Sequence, residues 1–199
     1  VAGMIKDFDL SSMDPEDWIY PERYLVRRDV IRSFSPHVLY GYCALKQAID
    51  DAREAGDSLG GVVEIVATGL PIGLGTHVQW DLKLSTKLMA SVGSVNAVKG
   101  VEFGEGFELA DLRGSLVHDV IKPLDEWEKN PDGSWVQPWP RRSNKAGGLE
   151  GGMTNGEPLL IRAVVKPIAT IINPLPSVDL TTGDLEQAHY ERSDITFVP

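Results

Sequence analysis

Between Arg141 and Gly156 the chain reads RRSNKAGGLEGGMTNG, its densest run of residues with chemical potential. Paired glycines at 147–148 and 151–152, with Gly156, remove the Cβ atoms that keep a ligand away and permit the positive φ angles that turn N–H groups inward. Such a loop can cradle a phosphate or the polar edge of a ring, and ordinary tight turns draw on the same residues. It matches neither the phosphate-loop pattern GxxxxGK nor the dinucleotide pattern GxGxxG. The window 141–170 holds five cations, Arg141, Arg142, Lys145, Arg162 and Lys166, against Glu150 and Glu157, a net of +3 in a chain whose net charge is −10. Chance drift can produce that excess; a small-anion site over residues 141–156 and Lys166 is the functional expectation. Gly73-Leu74-Gly75 and Gly104-Glu105-Gly106 read as turn glycines. No group of His, Cys and carboxylates has metal-ligand spacing, so no metal site is expected. Cys43 is the single cysteine and has no partner for a disulfide or a redox pair.

The elements that must position these residues are read from periodicity. A chain of 199 residues, 42% apolar and 24% charged, has a globular composition, and one domain spanning 1–199 is expected. Residues 2–9 alternate as a strand, and residues 11–35 form an irregular surface connection, a loop or insertion. Ser35 and Pro36 read as the cap and first position of a helix carrying Leu45, Ala48, Ile49 and Ala52 on one face and stopping at Gly56. Gly61 to Ala67 is a β-branched run that suits a buried strand. Asp81 can cap a second helix with Leu84, Leu88, Val92 and Val95 on one face, followed by a strand near Val98 to Phe103. Residues 122–142, with three tryptophans and the turn Asn130-Pro131-Asp132-Gly133, form an exposed hairpin or ordered loop. Their indoles can stack on a ligand or cover the loop's own base. Leu159 to Val165 reads as a strand and Leu185 to Tyr190 as a short element of either type. The class is α/β, or α+β. No apolar run reaches the length of a membrane span, and the acidic balance excludes nucleic acid and anionic membranes as partners. The cysteine usage fits a cytoplasmic setting. The first residue, Val1, opens within an apolar-alternating stretch, which suggests an excised domain.

The order of segments carries a more specific message. GLPIGLG at 69–75, NAVKGVEFGEGF at 96–107, SNKAGGLEGGMTNG at 143–156, KPIAT at 166–170, VDLTTGD at 178–184 and RSD at 192–194 together resemble chorismate synthase, almost continuously from Asp57 to Pro199. The resemblance implies a sandwich of β-sheets around long helices, present here as a partial copy, in an enzyme assembled as a homotetramer. It further implies conversion of 5-enolpyruvylshikimate 3-phosphate to chorismate and phosphate by 1,4-anti elimination on reduced FMN. Carried over, the flavin-contacting positions are Asn96, Ala97, Gly151, Lys166, Pro167, Ile168, Ala169, Thr170 and Arg192. Asp194 corresponds to the family's aspartate beside the flavin and is the catalytic candidate. Gly151 and Arg192 should then lie close together. The two histidine acids of the family have no counterpart in context among His37, His77, His118 and His189, and the family's arginine-serine-alanine-arginine-glutamate stretch is absent. His118-Asp119 resembles a recurring family pair, for which a structural hydrogen-bonding role is an equal reading. The fragment alone is therefore expected to be inactive, the alternative being a non-catalytic flavin- or anion-binding assembly module on the same scaffold.

Overall fold

A computed structural model describes residues 7–191 and 194–196. Its elements run α1 (Arg28–Ile31), α2 (Pro36–Ala55), β1 (Gly61–Ala67), α3 (Leu84–Gly93), β2 (Val98–Phe103), α4 (Gly114–Val117), β3 (Leu149–Glu150), β4 (Met153–Thr154), β5 (Leu159–Val165), β6 (Pro176–Val178) and β7 (Leu185–Gln187). The described residues fall into two compact units, one of residues 7–59, 169–191 and 194–196, the other of residues 60–168.

The first unit is organised by α2. The Ser35 hydroxyl accepts from the Val38 N–H, Pro36 fixes the first turn, and Gly56 closes the helix at φ +67°, as the cap residues predict. Its buried face differs from the expected one. Leu39, Cys43 and Ala52 are buried whereas Leu45 is exposed, because residues 8–34 wrap the start of the helix and pack Trp18, Tyr24 and Ile31 onto Leu39 and Cys43. That wrapping segment is largely irregular, as expected, with single 3-10 turns at Pro15–Asp17 and Glu22–Tyr24, but it is not the surface connection expected, since Trp18, Tyr24 and Ile31 are buried in the core and Arg28–Ile31 forms α1. Most of the strand expected over residues 2–9 falls outside the described residues; within them, only Asp9 forms an isolated bridge, with Ile19. Residues 185–187 resolve as a strand, paired with β6 in a hairpin.

In the second unit β5 lies centrally in an antiparallel sheet of order β1-β5-β2. Period-2 alternation sends Leu159, Ile161, Ala163 and Val165 inward. Leu149, Leu159 and Ile161 form the core there, and Leu84, Leu88 and Val92 of α3 pack against it. Three expectations for this region are corrected. Helix α3 begins at Leu84 with Lys83 at its cap position, and no side chain caps it. Asp81 lies instead in the preceding turn, where the Leu82 and Lys83 N–H groups donate to the Gln79 carbonyl, and the Leu84 N–H is satisfied by the Gly152 carbonyl at 2.9 Å. Val95 stands beyond the helix and is exposed. Strand β1 is not buried on both faces, since Val62, Ile65 and Val66 are exposed.

Residues 122–142 form the ordered loop expected. Ile121 bridges to Arg141 and Lys129 to Trp135. Trp127 meets Trp135 and Trp139 edge to face at 5.3 and 5.0 Å, so the indoles pack on one another. Among the described residues no helix is long and apolar enough to cross a membrane.

The sheet's two faces should answer differently to truncation. Ile161→Ala, at a position 3% exposed, is expected to cost about 2–5 kcal/mol in urea unfolding. Val164→Ala, on the opposite and exposed face of the same strand, should cost less than about 1 kcal/mol. Equal losses would mean that the inward face is not the core.

Candidate functional site

The glycine-rich segment owes its shape to a carboxylate far away in sequence. Asp119, buried just past α4, accepts from the Ser143 hydroxyl at 2.6 Å and from the backbone N–H groups of Lys145 and Ala146, both at 2.9 Å. Asn144 closes the turn behind it, its Oδ1 accepting from the Gly148 N–H and its Nδ2 donating to the Pro158 carbonyl, each at 2.8 Å. The Gly147 carbonyl then accepts from the Leu160 N–H, which ties the loop to the start of β5. Gly104 and Gly147 meet back to back. A Cβ on Gly104 would stand 2.0 Å from the Lys145 carbonyl oxygen, and one on Gly147 would stand 2.2 Å from the Gly104 nitrogen. Glycine is therefore required at both positions by the close approach of two backbones.

Gly151 is different. It is exposed, with φ +61°, and no chain atom lies within 4 Å of where a Cβ would stand. It caps the turn between β3 and β4, and its bare backbone faces open space that a flat ligand can approach.

The cations of the 141–170 window are mostly committed to ion pairs. Arg141 pairs with Glu150 at 2.5 Å, Arg142 with Glu126 at 2.5 Å, Lys145 with Glu105 at 3.0 Å and Arg162 with Glu102 at 2.8 Å. Three of these carboxylates lie outside the window, so the positive excess along the chain is largely neutralised in space. Lys166 is exposed and has no ion pair among the described residues. It is the cation of this group left available to an anion.

Of the flavin-contacting positions implied by the resemblance, Asn96, Ala97, Gly151, Lys166, Pro167 and Ile168 fall in the second unit and Ala169 and Thr170 in the first, as does the catalytic candidate Asp194. Arg192 lies outside the described residues, and with it the expected approach of Arg192 to Gly151. Within the second unit the structure joins two of the implied segments, since the Lys166 N–H donates to the Ala97 carbonyl at 2.9 Å. Ala97 holds φ +70°, a left-handed conformation that a non-glycine residue adopts only at a cost. Gly151 is not brought to this pair. Its neighbour Gly152 receives the first N–H of α3, whereas Asn96 follows the last turn of that helix, and ten helical residues span about 15 Å. Asp194 is exposed, as are His37, His77, His118 and His189.

Asp119 as the anchor of the loop is the functional feature that spacing could not reveal. Its signal in the sequence is the His118-Asp119 pair, read there as a family pair or a structural hydrogen-bonding group, more than twenty residues before the groups it binds. Burial alone would raise the Asp119 pKa. Hydrogen bonds from Ser143, Ala146 and Lys145, with the Arg141 charge, outweigh it and hold the carboxyl below its ordinary value. A depressed folded-state pKa stabilises the fold above the unfolded value of about 3.9 and loses that contribution as pH falls through the folded value. Asp119→Ala should cost on the order of 3 kcal/mol at pH 7 in denaturant unfolding, because it strands two N–H donors and a hydroxyl. The deficit should shrink as the pH is lowered below about 4. A deficit independent of pH would contradict an ionised anchor.

Comparison with known proteins identifies the family. The chorismate synthase family model matches residues 38–199. The chorismate synthase of Thermobifida fusca is 48% identical over 87% of this chain and 41% of its own length. That of Saccharopolyspora erythraea is 53% identical over 76% of this chain and 35% of its own. A crystal structure of chorismate synthase superposes with a TM-score of 0.55 at 42% identity, over 65% of this chain and 36% of that one. The chain thus spans about two fifths of the length of the curated relatives it matches. Its mixed helix-and-sheet fold is that of a partial copy, and the chain belongs to the chorismate synthase family.

Proposed function

We propose that the chain is a segment of an enzyme that converts 5-enolpyruvylshikimate 3-phosphate to chorismate and phosphate, a carbon–oxygen lyase of aromatic amino acid biosynthesis. The reaction removes a proton and the phosphate from opposite faces of the ring and leaves a new double bond, with no net oxidation. Bound reduced FMN supplies electron density that eases departure of the phosphate. The observation that carries the reading of this half as a flavin wall is the joint of Ala97 to Lys166. It sets a strained backbone, an exposed residue Asn96 and a cation without an ion pair among the described residues side by side. These groups suit a flat, anionic cofactor.

In this reading Lys166 and Arg192 offer fixed positive charge to the flavin or the phosphate, and charge-assisted hydrogen bonds are roughly twice as strong as neutral ones. Asn96, Pro167, Ile168, Ala169 and Thr170 line the ring. Asp194 would hold and exchange a proton beside the cofactor. The complete enzyme is a cytoplasmic homotetramer, and its histidine acids come from chain outside these 199 residues. Groups that act as a unit lose most of their effect when one is missing.

The test is an anaerobic assay with reduced FMN and substrate. The 199-residue chain should form no chorismate above the blank, whereas the complete parent should turn over. In that parent Asp194→Asn should lower kcat by roughly a hundredfold while changing the flavin Kd less than about threefold. Turnover by the chain alone near the parent's rate would overturn this division of roles. Failure of the complete parent to turn over would favour a non-catalytic flavin- or anion-binding module.

A further inference from the structure

Of the five asparagines in the chain, Asn155 alone is followed by glycine. That pair is chemically unstable in a free chain, because glycine has no Cβ to keep its backbone nitrogen from the neighbouring side chain. The Gly156 nitrogen forms a bond to the Asn155 Cγ, the bond from Cγ to Nδ2 breaks, and ammonia leaves behind a five-membered succinimide. Water then opens the ring to aspartate or isoaspartate. The net change is hydrolysis of one amide, with water as the co-reactant and no oxidation.

The fold holds Asn155 away from that path. The residue is 6% exposed, and its amide is fixed at both ends. Nδ2 donates to the Glu150 carboxylate at 3.1 Å, and Oδ1 accepts from the Glu157 N–H at 3.0 Å. A carboxylate accepts and an N–H donates, so the amide has one orientation here. The Asn155 N–H is also engaged, by the Gly148 carbonyl at 3.0 Å. Arg141 completes a circuit. Its guanidinium pairs with Glu150 at 2.5 Å, and its backbone N–H donates to the Glu157 carboxylate at 2.6 Å. Asn155, Glu150, Arg141 and Glu157 are thus joined by four links in a closed ring at the base of the β3–β4 turn. Swinging the Asn155 side chain onto the Gly156 nitrogen breaks the two links that the amide makes. Conversion to aspartate would replace the donor that faces Glu150 by a second carboxylate, and the two like charges repel.

We propose that Asn155-Gly156 is a latent deamidation site, held shut by Glu150 and the Glu157 N–H, and that its conversion to aspartate loosens the β3–β4 turn that carries Gly151. The 199-residue chain and the capped peptide Met-Thr-Asn-Gly-Glu-Pro, its own residues 153–158, are incubated side by side at mildly alkaline pH, and peptide mapping by mass spectrometry reads the conversion. The chain should convert at least about tenfold more slowly than the peptide. Glu150→Ala should convert about fivefold faster than the unaltered chain, and Glu150→Gln, which keeps an acceptor for Nδ2, should stay within about twofold of it. Asn155→Asp tests the consequence without waiting for the chemistry. The N–H groups of residues 154 and 155, which donate to the Leu74 and Gly148 carbonyls, should exchange about tenfold faster in that variant, while Ile161 and Ala163 of β5 keep their protection. Conversion in the chain at the peptide's rate, or equal rates in Glu150→Ala and Glu150→Gln, would overturn the proposal. So would unchanged exchange at residues 154 and 155 in Asn155→Asp, or an equal loss of protection at Ile161 and Ala163.

Discussion

The Asp119 carboxylate is the constraint on which the glycine-rich segment depends. A loop with paired glycines at 147–148 has few side chains to pack and loses much conformational entropy on ordering. Three hydrogen bonds from residues 143–146 to one buried anion offset that loss. Once residues 143–146 are fixed, Gly147 can lie against Gly104, and its carbonyl can take the Leu160 N–H. The loop thereby becomes continuous with β5 and presents the β3–β4 turn from a rigid base.

Charge pairing explains why this loop is ordered without being strongly cationic. Arg141 reaches both the Asp119 carbonyl, at 2.9 Å, and Glu150, so the same guanidinium that lies beside the anchor also braces the β3–β4 turn. Lys145 and Arg162 are tied to Glu105 and Glu102, from β2 and the turn after it. Partly buried pairs of this type act on geometry more than on net stability. Their effect is to spend the local cations on holding the loop and to leave Lys166 exposed at the other end of β5.

Much of the fold could be read in the chain because local rules governed it. Ser35, Pro36 and Gly56 bound α2 by cap chemistry alone, and the β-branched runs at 61–67 and 159–165 became strands. The misreadings arose where a distant partner decided. The Gly152 carbonyl took the role assigned to Asp81, and the residue 8–34 segment selected Leu39 and Cys43 as the buried face of α2 in place of Leu45. The same logic applies to the site. Motif order marked Asn96, Gly151 and Lys166, but summing charges along residues 141–170 missed that Glu102, Glu105 and Glu126 return to neutralise them. Nor does spacing reveal that a single aspartate at 119 organises the loop.

Amide hydrogen exchange on the chain without flavin tests that anchor most directly. The Lys145 and Ala146 N–H groups, which donate to Asp119 and to no backbone carbonyl among the described residues, should exchange slowly in the unaltered chain. In Asp119→Asn they should exchange at least tenfold faster, while the β5 amides of Ile161 and Ala163 keep their protection. Unchanged exchange at Lys145 and Ala146, or equal loss of protection throughout β5, would contradict the view that this one carboxylate shapes the glycine-rich loop.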